Sequence, residues 1–405
     1  WAGRRKAARG LSGRAAAGPA SGRAPGAVRK IRAIIHEGLP GPSPPAAPPR
    51  LALSPMSTTI TWTDPARAQA FNAWLAPLAA QHGLQMHTLR PASADASFRR
   101  YFRIDSATGP SRIVMDAPPP QEDVRPFVHI ARLIQGAALN GPELLAVDET
   151  HGFLLLSDLG QQLFLDALRQ ADAAQADALM RQAIAALVQW QVRIDPATLP
   201  NYDGALLQRE LALFPQWCVQ REFGVTWTEA QQEQWSRIAA LLTASALAQP
   251  RVAVHRDWMP RNLMVGPQGP GILDFQDAVR GPVTYDIASL LRDAFVSWDE
   301  EREIDWAVRY WQAAREAGVP LDGGLKEDFG EFWRALEYMG LQRHLKVLGI
   351  FCRLKHRDGK DRYVQDLPRF FAYATKVALR YRQLQPLLPL LEPLSGAAVE
   401  AGYTF

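Results

Sequence analysis

His255, Asp257, Asn262 and Asp274 have the types and spacing needed to move a phosphoryl group from a metal-bound nucleotide to a hydroxyl. They lie in His255-Arg256-Asp257-Trp258-Met259-Pro260-Arg261-Asn262, the pattern H-x-D-x-x-x-x-N, and in Asp274-Phe275-Gln276-Asp277, which begins twelve residues after Asn262. Between them, Leu263-Met264-Val265 and Ile272-Leu273 are apolar runs flanking the glycine/proline turn Gly266 to Gly271. Antiparallel pairing across that turn would bring Asn262 and Asp274 together at the open end of a hairpin. An amide oxygen and a carboxylate converging there suit Mg²⁺, a hard cation that bridges nucleotide phosphates. Asp257 is then positioned to accept the proton of an attacking hydroxyl. A lone H-x-D would be an ordinary polar loop; three polar positions spaced around one hairpin are not explained that way.

The elements needed to hold these side chains can be read on either side of the hairpin. Residues 63–82 predict a helix with Phe71, Trp74, Leu75 and Leu78 along one face. Strand-like runs follow at Met86–Leu89, Phe98–Ile104 and Ile113–Asp116, then a helix carrying Phe127, Ile130 and Ile134, then strands at Glu143–Asp148 and Phe153–Ser157. Strands interrupted by one helix make an α+β lobe. After Gly160 the chain turns to long Ala- and Leu-rich helices, expected over 176–192, 229–247, 283–298, 302–317, 326–350 and 367–386. The expected organisation is a basic extension over 1–55, a β-rich nucleotide-binding N-lobe over 56–156, a hinge at 157–160 and a helical C-lobe over 161–405.

Composition agrees with an enzyme of this size: 47% of the 405 residues are apolar and 21% charged, which is ordinary for a globular chain with a large core. The net charge of +4 is misleading. Residues 1–50 hold ten of the 45 Lys and Arg and one of the 41 acids, so the rest carries 35 bases against 40 acids. The basic stretch is rich in Ala, Gly and Pro, lacks apolar periodicity and precedes Met56; an unstructured extension or translated upstream sequence is expected there. Cys218 and Cys352 show neither metal spacing nor a disulfide framework, and a reducing cytoplasm is the simplest compartment. Neither a nucleic-acid partner nor a membrane is called for, and the oligomeric state is open.

The nucleotide side is expected on the strands. Residues 93–103 place small, turn-prone residues between strands, so backbone N–H groups and side chains of Ser97, Phe98, Arg99, Arg100 and Arg103 are candidates for phosphate contact. Ser157, Asp158 and Leu159 run from an apolar strand into a polar turn, where an adenine could meet hinge backbone. One absence matters for mechanism. No lysine lies between Lys30 and Lys326, so the small-lobe lysine that pairs nucleotide phosphates cannot exist. Arginine must replace it, from among Arg99, Arg100, Arg103 and Arg112.

These motifs resemble the aminoglycoside phosphotransferase/choline kinase superfamily, within the protein-kinase-like fold. More narrowly, residues 95–103, 114–119, 255–264, 273–278, 281–288 and 342–347 are similar to the anomeric N-acetylmuramate/N-acetylglucosamine kinases of bacterial cell-wall recycling. The resemblance spans residues 60–390 and implies a bilobal fold, ATP and Mg²⁺ as cofactors, and a sugar acceptor phosphorylated at its C1 hydroxyl. It implies Asp257 as catalytic base, Asn262 and Asp274 as metal ligands, His255 as a brace, and Asp286 as a cap or loop anchor. The acceptor should lie beside Asp257, with Arg261, Asp277, Arg280, Arg343 and His344 as candidate contacts. Two other readings stay open. An antibiotic or small-alcohol kinase would need an acidic cleft for a cationic acceptor, and a nucleotide-binding pseudokinase would fit the missing lysine but not three intact catalytic positions. D-F-Q-D in place of D-F-G sets the chain apart from protein kinases.

Overall fold

The computed structural model describes residues 60–93, 98–119 and 121–395. The expected extension over 1–55 and Ser97 lie outside the described residues.

Helix α1 (Pro65–His82) starts where the Asp64 carboxylate accepts from the Ala66 N–H at 2.9 Å, with proline at the first helical position, and ends at Gly83 in the left-handed conformation. It packs on a five-stranded antiparallel sheet: β1 (Arg90–Ser93), β2 (Arg100–Ile104), β3 (Arg112–Asp116), β4 (Leu144–Asp148) and β5 (Phe153–Ser157), in the order β1-β2-β3-β5-β4. Helix α2 (Arg125–Gly136) connects β3 to β4. Strand alternation divides the sheet between two cores. Phe102, Ile104, Val114, Phe153 and Leu155 face α1, while Met115, Leu154 and Leu156 join Phe127, Ile130 and Ile134 of α2 in the main core.

The remainder is mainly helical: α3 (Phe164–Gln170), α4 (Ala173–Arg193), α5 (Gly204–Leu211), a π-helical stretch at Phe214–Glu222, and α6 (Glu229–Leu247). Beyond the catalytic segment come α7 (Tyr285–Leu291), α8 (Glu300–Ala317), α9 (Gly324–Glu327), α10 (Phe329–Asp358), α11 (Leu367–Arg380) and α12 (Leu388–Ser395). The 30-residue α10 is the spine of this part. It lies so close to the π-helical stretch that a Cβ on Gly349 would come within 2.4 Å of the Leu213 carbonyl carbon.

The catalytic segment is a hairpin within a hairpin. Strands β7 (Leu263–Met264) and β8 (Gly271–Ile272) pair antiparallel, as their spacing requires. A second pair that sequence reasoning missed, β6 (Arg251–Val254) with β9 (Val279–Pro282), encloses them. The segments 255–262 and 273–278 are therefore both held between the same two ladders.

Two sequence expectations are corrected. Met86–Leu89 is not a strand; Met86–Thr88 forms a 3₁₀ turn and β1 begins at Arg90. The helix expected over 283–298 stops at Leu291, because Arg292 leaves helical geometry and its guanidinium enters the core, 3.2 Å from Glu303 Oε2 and 2.8 Å from Glu337 Oε1. Helices α3, α5 and α12 and the π-helical stretch were also missed; the three α-helices are too short to carry a periodic signal.

Candidate active site

The loop after β6 is held by a single buried carboxylate. Asp286, on the first turn of α7, accepts from the His255 N–H at 2.7 Å and the Arg256 N–H at 3.0 Å, so it is the loop anchor its position suggested. Complete burial pushes its carboxyl up to about 7, against the pull of those two N–H donors. Arg256 is forced to a φ of 76°, a conformation that side chains other than glycine adopt only under constraint. Its guanidinium is tied to Glu210 of α5, which also accepts from the Tyr202 hydroxyl and lies 2.9 Å from Lys346 Nζ of α10. Lys346 donates in turn to the Tyr285 hydroxyl at 3.1 Å. Helices α5, α7 and α10 thus converge on one backbone kink.

His255 braces rather than reacts. It is fully buried, edge-on to Trp190 and Trp258 at 5.4 Å, and desolvation pushes its imidazole down to about 4. The neutral ring accepts from the Asp257 N–H at Nδ1, 3.3 Å away, which places the ring proton on Nε2. The Asp257 side chain is 42% exposed, open to a reactant, with Arg343 Nη2 of α10 at 4.0 Å from its Oδ1. Arg343 is itself 3% exposed, and its Nη1 is buried without a hydrogen-bond partner among the described residues.

Asn262 and Asp274 meet as the hairpin predicts. The Asn262 Nδ2 donates to the Asp257 carbonyl at 2.9 Å and lies 3.5 Å from Asp274 Oδ2, while the Leu273 N–H donates to the Asn262 carbonyl at 3.0 Å. Asp274 is exposed and sits at a φ of 58°; Gln276 Nε2 donates to its Oδ1 at 2.8 Å. Next to it Phe275 is fully buried and rests on Phe127 of α2, ring centroids 4.7 Å apart. An amide and a carboxylate side by side fit a hard divalent cation. No group of three or more His, Cys, Asp or Glu among the described residues could hold a metal. A cation here would therefore rest on Asn262, Asp274 and the phosphates it neutralises.

The sheet residues divide. Arg99 Nε donates to Glu122 Oε2 at 3.0 Å, and Phe98 beside it is 67% exposed. Arg103 is bound to Asp158 and to the Gly160 carbonyl, 2.7 Å away, and Asp158 also accepts from Ser111 Oγ at 2.6 Å. Ser157 Oγ accepts from the Glu143 N–H at 2.8 Å. Leu159 lies close over Gly271, 3.0 Å from where a Cβ there would sit, so the strap after β5 runs alongside the hairpin. Arg100 does not join these groups. Alternation along β2 turns it toward α1, where it and Arg67 both bind the buried Asp116.

On the acceptor side, Arg261 lies over the Phe295 ring at 5.2 Å, and Asp277 is exposed three residues beyond Asp274. Arg280 is exposed on β9, its backbone bonded to Pro200 and Tyr202. His344 is a core residue instead of an acceptor contact: it is fully buried, stacks on Tyr373 at 4.8 Å, and burial holds its imidazole well below the usual range. One helical step past Arg343 turns it away from Asp257. Glu210 and Lys346 could be suspected as charges in apolar helices; the role of Gln276 had a signal only in its position within D-F-Q-D.

A family model described as "Phosphotransferase enzyme family" matches residues 88–325, more than half of the chain. The chain belongs to the phosphotransferase enzyme family. Among similar curated proteins, an N-acetylmuramate/N-acetylglucosamine kinase of Pseudomonas putida is 53% identical over 77% of this phosphotransferase and 89% of the relative. One of the same name from Pseudomonas aeruginosa is 50% identical over 83% and 99%. Solved structures share the fold at low identity. A Plasmodium vivax ethanolamine kinase has a TM-score of 0.53 at 8% identity, covering 79% of this phosphotransferase and 92% of that chain. A choline/ethanolamine kinase family protein from Mesorhizobium loti scores 0.51 at 14%, covering 82% and 100%. The protein-kinase-like fold is thereby established, with its small antiparallel sheet and mostly helical remainder. No helix among the described residues is long and apolar enough to cross a membrane.

Proposed function

We propose that this phosphotransferase uses Mg-ATP to phosphorylate the anomeric hydroxyl of N-acetylmuramate, N-acetylglucosamine or both. One observation carries the reading: Asp257, Asn262 and Asp274 converge in a chain half identical to two kinases named for those sugars. Asp257 acts as the base, taking the proton of the attacking hydroxyl. A hemiacetal hydroxyl is more acidic than an ordinary alcohol, so a carboxylate is an adequate acceptor for it. Asn262 and Asp274 would hold Mg²⁺, which when bound neutralises charge on the transferring phosphates.

ATP is taken to lie between the sheet region (56–156) and the helical region (161–405), with the hinge 157–160 along the adenine. Ser157, Asp158 and Leu159 then border the nucleotide, and Arg103 shapes that edge through its pair with Asp158. Arg343 faces the acceptor: its buried, unpartnered Nη1 is a donor for a sugar oxygen or the lactyl carboxylate. Arg261 and Asp277 border the same opening, and the cations near Asp257 disfavour a polycationic aminoglycoside. The two buried, unbridged thiols suit a reducing cytoplasm.

The test is coupled ADP detection over amino sugars, aminoglycosides and choline, joined to a reducing-end assay of the product. Turnover with N-acetylated amino sugars and loss of the reducing end are expected. Turnover with a retained reducing end would move the phosphate to another hydroxyl; turnover confined to aminoglycosides or choline would overturn the sugar reading.

A further inference from the structure

The absent lysine leaves a question that the structure narrows to one side chain. Of the four arginines on or beside the strands, Arg100 and Arg112 share a face with Phe102, Ile104 and Val114, toward α1. Arg100 is committed to the buried Asp116, and Arg112 donates to the Pro110 carbonyl at 2.7 Å. Arg103 has the opposite orientation, but its guanidinium is closed by Asp158 and Gly160.

Arg99 is different. It sits one residue ahead of β2, paired with Glu122, and its side chain is 14% exposed. Its partner Glu122, 15% exposed, lies three residues ahead of α2, and α2 rests through Phe127 on Phe275, the neighbour of Asp274. The salt bridge, the helix and the metal loop form one continuous chain of contacts. Burial opposes the charge on the Arg99 guanidinium, but Tyr101 and Glu122, with a smaller contribution from Asp274, outweigh it and favour the charged form.

We infer that Arg99 supplies the phosphate-facing positive charge in place of the missing lysine, and that Glu122 is the positioning residue that holds it. The inference rests on the Mg-ATP reading above. An arginine held by an acidic residue at the approach to α2 does what a lysine held by a helix glutamate does in kinases, with a planar fork in place of a point charge. Through α2, whose Phe127 rests on Phe275, the Arg99–Glu122 pair is connected to the loop that carries Asp274.

The experiment uses the full chain and reads ATP kinetics, sugar KM, and Mg-ATP binding by calorimetry for Arg99→Ala, Arg99→Lys and Glu122→Gln. Arg99→Ala is expected to raise the ATP KM and lower kcat, a combined loss of about 10²-fold in kcat/KM, with sugar KM unchanged. Lysine should restore part of the loss. Glu122→Gln should give a smaller loss, on the order of 10-fold, carried mainly by the ATP KM, whereas a purely structural role would lower Tm and leave that KM alone. Arg67→Ala, which strips one partner from Asp116, should lower Tm and leave the ATP KM at the parent value. Parental ATP kinetics and binding in Arg99→Ala, with Asp274→Ala inactive, would overturn the inference and leave the kinase reading intact. So would a loss that appears in Arg100→Ala instead. If the parent turns over no sugar, the sugar reading fails, and calorimetry still decides the role of Arg99 by whether its loss weakens Mg-ATP binding.

Discussion

The two loops of the site are built in opposite ways. The loop bearing Asp257 is anchored through buried partners: Asp286 beneath its backbone, Glu210 and Lys346 behind Arg256, and the two tryptophans around His255. The loop bearing Asp274 is exposed at its working residue, and its anchors are the Leu273 N–H on Asn262 and the Phe275 ring on α2. The difference follows from their tasks. A base must stand within hydrogen-bond reach of one proton, so its backbone is over-determined. On the proposed reading a metal ligand need only be reachable by an incoming ion, which an exposed carboxylate is.

The largest effects should fall on the working side chains of both loops. Asp257→Asn and Asp274→Ala are expected to fold and to lose turnover by roughly 10²-fold or more. Titrating Mg²⁺ separates them: raised Mg²⁺ should recover part of the Asp274 loss and none of the Asp257 loss. Near-parental turnover of the Asp274 variant would remove the metal assignment.

The anchors should differ next. Asp286→Asn gives one backbone N–H an amide oxygen and sets an amide NH₂ against the other. We expect it to cost about 1–3 kcal/mol by denaturant midpoint, and to lower kcat. Gln276→Ala, on the exposed loop, should cost less than about 1 kcal/mol. Equal costs would erase the contrast between a buried and an open loop.

The smallest net effect on the parent is in the pH dependence of Tm, where two buried groups oppose each other. His255, pushed down to about 4, stays unprotonated in the fold while the unfolded chain takes up a proton near 6.5, so its contribution is full above about 6.5 and is lost as pH falls toward 4. Asp286, raised to about 7, has the opposite sign: its contribution is present at low pH and is lost as pH rises through about 7. The two slopes oppose each other across the same window. His255→Gln removes one of them, so its Tm should fall less on acidification than that of the parent. Parallel curves between pH 4 and 6.5 would show that the imidazole titrates alike in the folded and unfolded chain.

How much could be read in advance depended on the range of the interaction. Strand β5 and helix α6 lie where the apolar pattern placed them, because a run of four apolar residues closed by Ser157 and a capped periodic helix are local signals. Met86–Leu89 is not a strand: apolar residues stand only at its two ends, Met86 and Leu89, a three-residue spacing that suits a 3₁₀ turn. The helix end at Leu291 depended on Glu303 and Glu337, which no local window contains.

The chemistry of the site was a property of the sequence itself. Asp257, Asn262 and Asp274 lie within eighteen residues, and a hairpin between two of them leaves little freedom in where they meet. The absence of lysine was likewise readable, and with it the need for arginine. Which partner each arginine takes, and what holds the Asp257 loop, only the tertiary structure decided. Arg256 meets Glu210 across 46 positions, Lys346 meets Glu210 across 136, and Arg343 reaches Asp257 across 86. Four arginines on or beside adjacent strands look alike in sequence; sheet alternation and the acids on each face give them different partners, Asp116 for Arg100, Asp158 for Arg103 and Glu122 for Arg99.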